Sequence, residues 1–332
     1  MVFVFSCRKY HLISALLAFM VLIQTGGPSQ AATTDHPNGS AHMQTPAASG
    51  VVVVKMAPGA EDRINHLIQS VKHLLPQATA TARFPGLKSN LKDTVLRQYF
   101  QLDAQGLDRS RLLKLVAVLN ADPSVEVAFL EPVAVPAALG FDAFTGAVPE
   151  PAPSESDHQD PVPSLNTPDF EPDQGYLQDA PLGVGALTMR NTNGALGAGI
   201  TVIDVEGAWL WTHEDLPAPA YELGVQFDSQ SWRDHGTAVL SEIRGQDNGL
   251  GVSGIAPQCS VGCSSIGGIN TATALAAAVD VLQRGDIILI ELHAPGPNAT
   301  GVAQVGYVPM EYWPDNFDII RLATAKGIIV CE

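Results

Sequence analysis

Short apolar runs alternate with helix-periodic segments along residues 200–332. The run at 287–292 is apolar except for Glu291, as expected for a strand that is buried on both faces of a parallel sheet. This alternation predicts an α/β fold, a doubly wound parallel sheet with helices on both faces. Its predicted strands are 200–203, 261–266, 287–292 and 327–330, and its predicted helices are 235–244, 271–283 and 314–326.

The predicted helix ends carry ordinary boundary signals. Asn270 or Thr271 can act as the N-cap of one helix, and Gly285 follows its end. Another helix begins at Pro314, whose missing N–H costs nothing in a first turn, and stops at Gly327.

A second, smaller α/β pattern precedes this one, within residues 50–136. Strand-like runs at 51–54, 98–102 and 125–130 alternate with helical patterns at 60–75 and 110–120. This order makes most of a small ferredoxin-like α+β sandwich. That fold needs one more strand, which the sequence does not locate.

The N-terminus and the segment between the two patterns predict processing rather than folded structure. Arg8 and Lys9 precede an apolar run at 12–23, and small residues follow, so residues 1–31 are predicted to be a cleaved secretory signal peptide. An uncleaved anchor is the alternative, and the expected location is secreted or periplasmic. Residues 137–168 are rich in Pro, Asp, Glu and Ser, which indicates an exposed linker open to proteolysis. The larger domain is therefore predicted at 169–332.

Charge and cysteine content exclude several classes of partner and site. A net charge of −16 argues against nucleic acid and, once the signal is removed, against membranes as partners. Cys259 and Cys263 lie on one extended segment, about 13 Å apart, which is too far for a disulfide. Cys7 lies in the signal and Cys331 is penultimate. With no C-x-x-C spacing, we expect neither a disulfide framework nor a metal cluster.

One acid and one base are expected at the carboxyl edge of the predicted sheet. Asp204 closes the first apolar strand, and His235 is expected to open the next helix, where Gly236 lets another backbone come close. Reactive groups gather at this edge in doubly wound folds.

Three segments around these residues resemble the motifs of subtilisin-like serine proteases. Residues 200–207 read ITVIDVEG and 212–216 read THEDL, as in that family's Asp box. Residues 234–239 read DHGTAV, as in its His box, and 248–257 read NGLGVSGIAP, as in the motif that follows. The resemblance covers about residues 170–332. Upstream, residues 119–132 resemble the end of the family's inhibitor-type propeptide.

The resemblance implies a secreted endopeptidase and assigns parts to its residues. Asp204 would accept a hydrogen bond from the histidine ring and fix its tautomer, while His235 would be the general base. A polypeptide substrate would add as a strand beside residues 291–294, where Leu292 matches the family and His293 would be a rim residue. Residues 50–136 would act as an intramolecular inhibitor. No cofactor is implied, and structural calcium is compatible with the family but has no visible site here.

The sequence also departs from the family. Val205 and Glu206 replace the Thr-Gly or Ser-Gly that normally follows the aspartate, and Glu206 would bring extra negative charge near His235 if it faced the cleft. Glu214 replaces a proline, and Ala238 replaces the second histidine of the His box.

The family's G-T-S-x-A-x-P nucleophile box and its oxyanion asparagine are not found in residues 1–332. The chain stops within a predicted strand, so we expect a truncated sequence that is inactive as it stands. The alternative is a non-catalytic pseudoprotease or peptide-binding protein. A dinucleotide site is disfavoured, because the glycine-rich segment 194–199 precedes its strand instead of following it.

Overall fold

A computed structural model describes residues 48–86, 94–137, 167–300 and 304–332. The elements of the N-terminal unit are β1 (Ala48–Met56), α1 (Ile64–Val71), β2 (Ala80–Ala82), β3 (Tyr99–Asp103), α2 (Arg109–Asn120) and β4 (Val125–Pro132). Its four strands form an antiparallel sheet in the order β2-β3-β1-β4. The short strand β2, which pairs with β3, is not among the strands predicted from the sequence.

Strand alternation gives this sheet two different faces. Val52 and Val54 of β1 pack into one core with apolar residues of α1 and α2. Val53 belongs to a different core, shared with the C-terminal unit, and Lys55 follows it on that face. The N-terminal unit is thus a two-layer structure whose open sheet face packs on the rest of the protein.

The C-terminal unit is built on a five-stranded parallel sheet in the order β12-β9-β6-β8-β7. The predicted parallel sheet is therefore confirmed, with the short edge strand β7 as an addition. The strands are β6 (Thr201–Glu206), β7 (Glu222–Leu223), β8 (Ser260–Ser265), β9 (Ile287–Ile290) and β12 (Ile329–Cys331).

Helices cover both faces of this sheet, as predicted. The unit's helices are α3 (Ala186–Met189), which packs with Leu177 and Ile255, and α4 (Gln230–Arg244), α5 (Thr271–Val281) and α6 (Pro314–Lys326), which cover the sheet. Ile203 and Val205 of β6 share a core with residues of α5 and α6. Val202, one position earlier, packs instead with Leu240 and Ile243 of α4. The even-numbered side chains of β6 therefore face α4.

Local signals predicted most helix ends. The Asn270 side chain accepts a hydrogen bond from the Thr273 N–H at 2.8 Å, and Gly327 ends α6 with φ of 87°. The expectation that His235 opens its helix is wrong, because α4 begins at Gln230 and His235 lies in its second turn. A hydrogen bond from Gln230 to Asp234 spans the earlier turn.

A small antiparallel sheet joins the two units. Its strands, β5 (Val135–Pro136), β10 (Leu292–Pro295) and β11 (Tyr307–Pro309), have the order β11-β10-β5. The predicted strand at 287–292 is therefore interrupted at Glu291, and its two parts belong to different sheets. Among the described residues, no helix combines the length and apolar character needed to cross a membrane. The predicted signal peptide lies outside those residues, as does nearly all of the predicted linker.

Candidate active site

The carboxyl end of β6 directs two carboxyl groups toward α4. Asp204 and Glu206 are two positions apart, so both lie on the strand face that packs against this helix. Neither side chain is reached by solvent. Glu206 lies nearer the end of the strand, where the sheet edge opens.

His235 of α4 contacts Glu206 rather than Asp204. Its Nδ1 lies 2.7 Å from Oε1 of Glu206, and the ring is one-fifth exposed while the carboxyl group is fully buried. Contrary to the expectation from the sequence, the carboxyl group that pairs with the histidine ring is that of Glu206 and not that of Asp204. No other hydrogen bond of His235 occurs within the described part of the chain.

Asp204 has a different neighbour. Its Oδ2 accepts a hydrogen bond of 2.7 Å from Nε1 of Trp209, whose own backbone N–H donates to Gln226. The other oxygen, Oδ1, has no hydrogen-bond partner among the described residues. Asp204 thus anchors the indole that follows the strand.

Gly236 lets α4 approach this strand closely, as the sequence predicts. A Cβ at Gly236 would lie 2.4 Å from the carbonyl oxygen of Ala208 and 2.8 Å from Oε2 of Glu206. The next residue, Thr237, accepts a hydrogen bond from the Leu210 N–H at 2.9 Å. The helix is therefore fixed against the segment that leaves β6.

Two further carboxyl groups, those of Glu242 and Glu291, lie close enough to interact electrostatically with His235. Burial and the nearby Glu291 carboxylate raise the pKa of Glu206. Burial, partly offset by His235, raises the pKa of Glu242 to about 7. Burial also raises the pKa of Asp204 and of Glu291, with His235 opposing it in both. One histidine thus faces four carboxyl groups that burial keeps from ionising freely.

Sequence reasoning missed most of this environment. From the sequence, Glu291 is assigned to an apolar strand and to the segment that would pair with substrate, but not to the surroundings of His235, and Glu242 has no predicted role. Spacing on α4 offers a signal for Glu242, which lies two helical turns after His235 on the same face. No local pattern identifies Trp209 as the partner of Asp204.

The predicted substrate strand is paired with a segment of the same chain. In the antiparallel register of β10 and β5, Leu292 lies opposite Pro136 and His293 opposite Val135. The N–H of Ala137 then donates to the carbonyl oxygen of Glu291 at 3.2 Å. This hydrogen bond holds the extended segment beside Glu291, whose carboxyl group interacts electrostatically with His235.

Leu292 and His293 differ in what their side chains offer. Leu292 is 1 % exposed and belongs to the core, so only its backbone is open to pairing. The His293 ring packs edge-on against Tyr307, with 4.9 Å between ring centroids, and burial lowers the pKa of His293. Neither side chain hydrogen-bonds to Asp204 or His235 within the described residues.

Cysteine and metal chemistry have no visible site here. Within the described ranges, no group of three or more His, Cys, Asp or Glu residues has an arrangement that could hold a metal ion. Cys259, Cys263 and Cys331 are buried with free thiols. Burial raises the pKa of Cys259 and of Cys263 to about 12, which disfavours the reactive thiolate.

Comparison with known proteins gives structural neighbours only. The chain is similar to the patellamide maturation protease PatG, with 16 % identity over 44 % of this chain and a TM-score of 0.32. It is also similar to the PatG macrocyclase domain (15 %, 50 % and 0.32) and to the PatG macrocyclase in complex with peptide (14 %, 51 % and 0.33). The chain spans 56–57 % of the length of those chains. Neither a protein-family model nor a curated protein sequence matches it.

Proposed function

We propose that this chain carries the propeptide and the acid–base half of a secreted, subtilisin-like serine endopeptidase. Its substrates would be polypeptides, and residues 50–136 would be a ferredoxin-like, inhibitor-type propeptide. The order β2-β3-β1-β4, with two helices on one face, supports this view of the N-terminal unit.

The observation that carries the proposal is the pairing of β5 with β10. A peptide bound as an added strand uses main-chain hydrogen bonds, which any sequence can supply. Val135 and Pro136 already lie in this way beside His293 and Leu292. The chain thus presents its own extended segment where a substrate would bind, next to a histidine held by a carboxyl group.

The proposed chemistry is hydrolysis of a peptide bond. Nε2 of His235 would take the proton of a serine hydroxyl as that oxygen attacks the carbonyl carbon, and would return it to the leaving amine. Water would then release the acyl group, with the same ring as base. Because the family's serine box does not occur in residues 1–332, these residues alone are expected to be inactive.

The proposal predicts the bond at which the precursor is processed. The N–H of Ala137 donates to the carbonyl oxygen of Glu291, the residue of this edge that interacts with His235, so cleavage is expected between Ala137 and Ala138. N-terminal sequencing of the secreted product should therefore find Ala138 first. Ala137→Pro removes the N–H and should block cleavage there, whereas Ala137→Gly keeps the N–H and should be processed. A mature terminus within 51–131 would contradict the proposal.

A non-catalytic peptide-binding protein is the second candidate, favoured by the main-chain pairing that β10 already makes with β5. It would use the same edge of β10 but would release its peptides intact. Incubating a precursor that includes a serine box with unstructured peptides separates the two, since only the protease converts them to fragments.

A further inference from the structure

The geometry points to Glu206, rather than Asp204, as the positioning residue that holds His235 for proton transfer. The reaction in which His235 would act rests on the proposed function, but the pairing itself can be tested without it. Asp204, the residue that the motif comparison selects, would instead be a structural anchor for Trp209.

The first step is the contact itself. The distance of 2.7 Å between Nδ1 of His235 and Oε1 of Glu206 is that of a strong, charge-assisted hydrogen bond. A carboxylate that accepts the Nδ1 proton fixes the tautomer in which Nε2 has a free lone pair. This is the tautomer that a general base needs.

The second step is that the glycines next to Glu206 leave space for its carboxyl group beneath α4. Its other oxygen, Oε2, would lie 2.8 Å from a Cβ at Gly236, so only glycine leaves room for this carboxyl group beneath the helix. A Cβ at Gly207 would lie 2.3 Å from the ring of Trp232, which shows how closely α4 packs on the end of β6. These glycines and Glu206 form one packing arrangement.

The third step is that Asp204 is engaged elsewhere. Oδ2 of Asp204 accepts a hydrogen bond from the indole of Trp209, which stacks on Trp211 with 6.4 Å between ring centroids. Asp204 is shorter than Glu206 by one methylene group and lies two residues farther from the open end of the strand. Its place in the motif therefore does not bring it onto the histidine ring.

The fourth step concerns charge. Asp204, Glu206 and Glu291 cannot readily all be ionised together, because like charges in a buried site raise one another's pKa. A hydrogen bond from the histidine ring favours ionisation of the carboxyl group that receives it. Glu206 receives that bond, so negative charge is favoured there over Asp204.

Histidine side-chain NMR of the full chain tests the assignment. The unaltered chain should show a low-field Nδ1–H resonance for His235, identified by its loss in His235→Gln. Glu206→Gln should abolish this resonance or convert the ring to the other tautomer. The matched control Asp204→Asn, on the same strand face, should leave it in place.

Glu206→Asp provides a graded test if Glu206→Gln does not fold. It keeps the carboxylate but withdraws it by one methylene group, so it should shift the His235 resonance while circular dichroism stays unchanged. Loss of the resonance in folded Asp204→Asn, or an unshifted resonance in either folded Glu206 variant, would overturn the assignment.

Activity gives a separate measurement. In a precursor that includes a serine box, Glu206→Gln should lower kcat at least 100-fold with KM changed by no more than a few-fold, and Glu206→Asp should restore part of the rate. Asp204→Asn should lose at least tenfold less than Glu206→Gln. If the NMR result holds and no form cleaves peptides, the proposed function fails while the pairing stands. If the two activity losses are reversed, the positioning role of Glu206 is refuted.

Discussion

Two buried acidic sites in this protein are arranged in opposite ways. At the contact between the N-terminal unit and α6, each carboxylate meets a cation, Asp315 with Arg83 and Asp318 with Lys55, at 3.0 Å. Around His235, by contrast, one histidine is the only base near four carboxyl groups within the described residues. The first site holds two parts of the chain together, and in the second burial favours the protonated form of carboxyl groups near His235.

The difference shows in the unpaired atoms. Asp204 and Glu206 each retain one buried oxygen with neither a hydrogen bond nor an ion pair among the described residues, whereas Oε1 of Glu131, also without a hydrogen bond, is ion-paired with Arg83. Asp318, at the other site, also accepts a hydrogen bond from the hydroxyl of Tyr99 at 2.7 Å. Incomplete satisfaction of buried polar groups costs stability and is found mainly where function requires it.

Removing the cation from the paired site should have the largest effect on stability. Arg83→Met leaves Asp315 and Glu131 without their buried partner, which should lower the free energy of unfolding by about 3–5 kcal/mol. The exposed pair Arg111–Asp108, with 3.6 Å between Nε and Oδ2, offers the matched control. Arg111→Met should cost less than about 1 kcal/mol in urea unfolding. Equal losses of unfolding free energy in the two variants would mean that the buried ion pairs of Arg83 matter no more for stability than the exposed pair of Arg111.

Closing the space beneath α4 should have a smaller effect. Gly236→Ala introduces a Cβ 2.4 Å from the carbonyl oxygen of Ala208, so the helix must shift at a cost of about 1–3 kcal/mol. Gly175→Ala is the control, since no atom lies within 4 Å of its added Cβ, and it should be neutral or slightly stabilising. Thermal unfolding of both variants measures the difference. An unchanged stability for Gly236→Ala would mean that the approach of α4 is not tightly constrained.

The sequence predicts local features of this fold better than contacts between elements. Asn270 and Gly327 mark helix ends because capping depends on one or two residues in fixed places. The three residues of β2 are too few to show alternation, so that strand was missed. The interruption at Glu291 was also missed, because an apolar run does not show where a chain passes from one sheet to another.

The same limit explains the carboxyl group on His235. Residues 204 and 206 share one strand face, so periodicity allows either to face α4. Similarity to a family motif selects Asp204, whereas the side-chain lengths and the hydrogen bond to Trp209 decide the contact. Those are tertiary properties, which neither composition nor spacing contains.

The smallest expected effect is a pH dependence of stability that distinguishes the unpaired site from the rest of the protein. The pKa of Glu242 is raised from its ordinary value of 4.5 to about 7, because burial outweighs the opposing effect of His235. Between about pH 5 and 7 the folded chain therefore keeps a proton that the unfolded chain releases, so stability should fall as pH rises. Over this range, Glu242 contributes at most about 1.4 kcal/mol per pH unit.

Glu242→Gln cannot release a proton, so it should flatten the dependence on pH between about pH 5 and 7 in urea unfolding. The control is Glu171→Gln. Although burial opposes it, hydrogen bonds from Ser253 and Arg190 lower the pKa of Glu171, which therefore does not keep a proton in the folded chain over this range. This variant should not flatten the dependence on pH. An equal slope in the Glu242 variant and the unaltered protein would mean that Glu242 is already ionised in the folded chain, and that His235 compensates its charge as fully as Arg83 compensates that of Asp315.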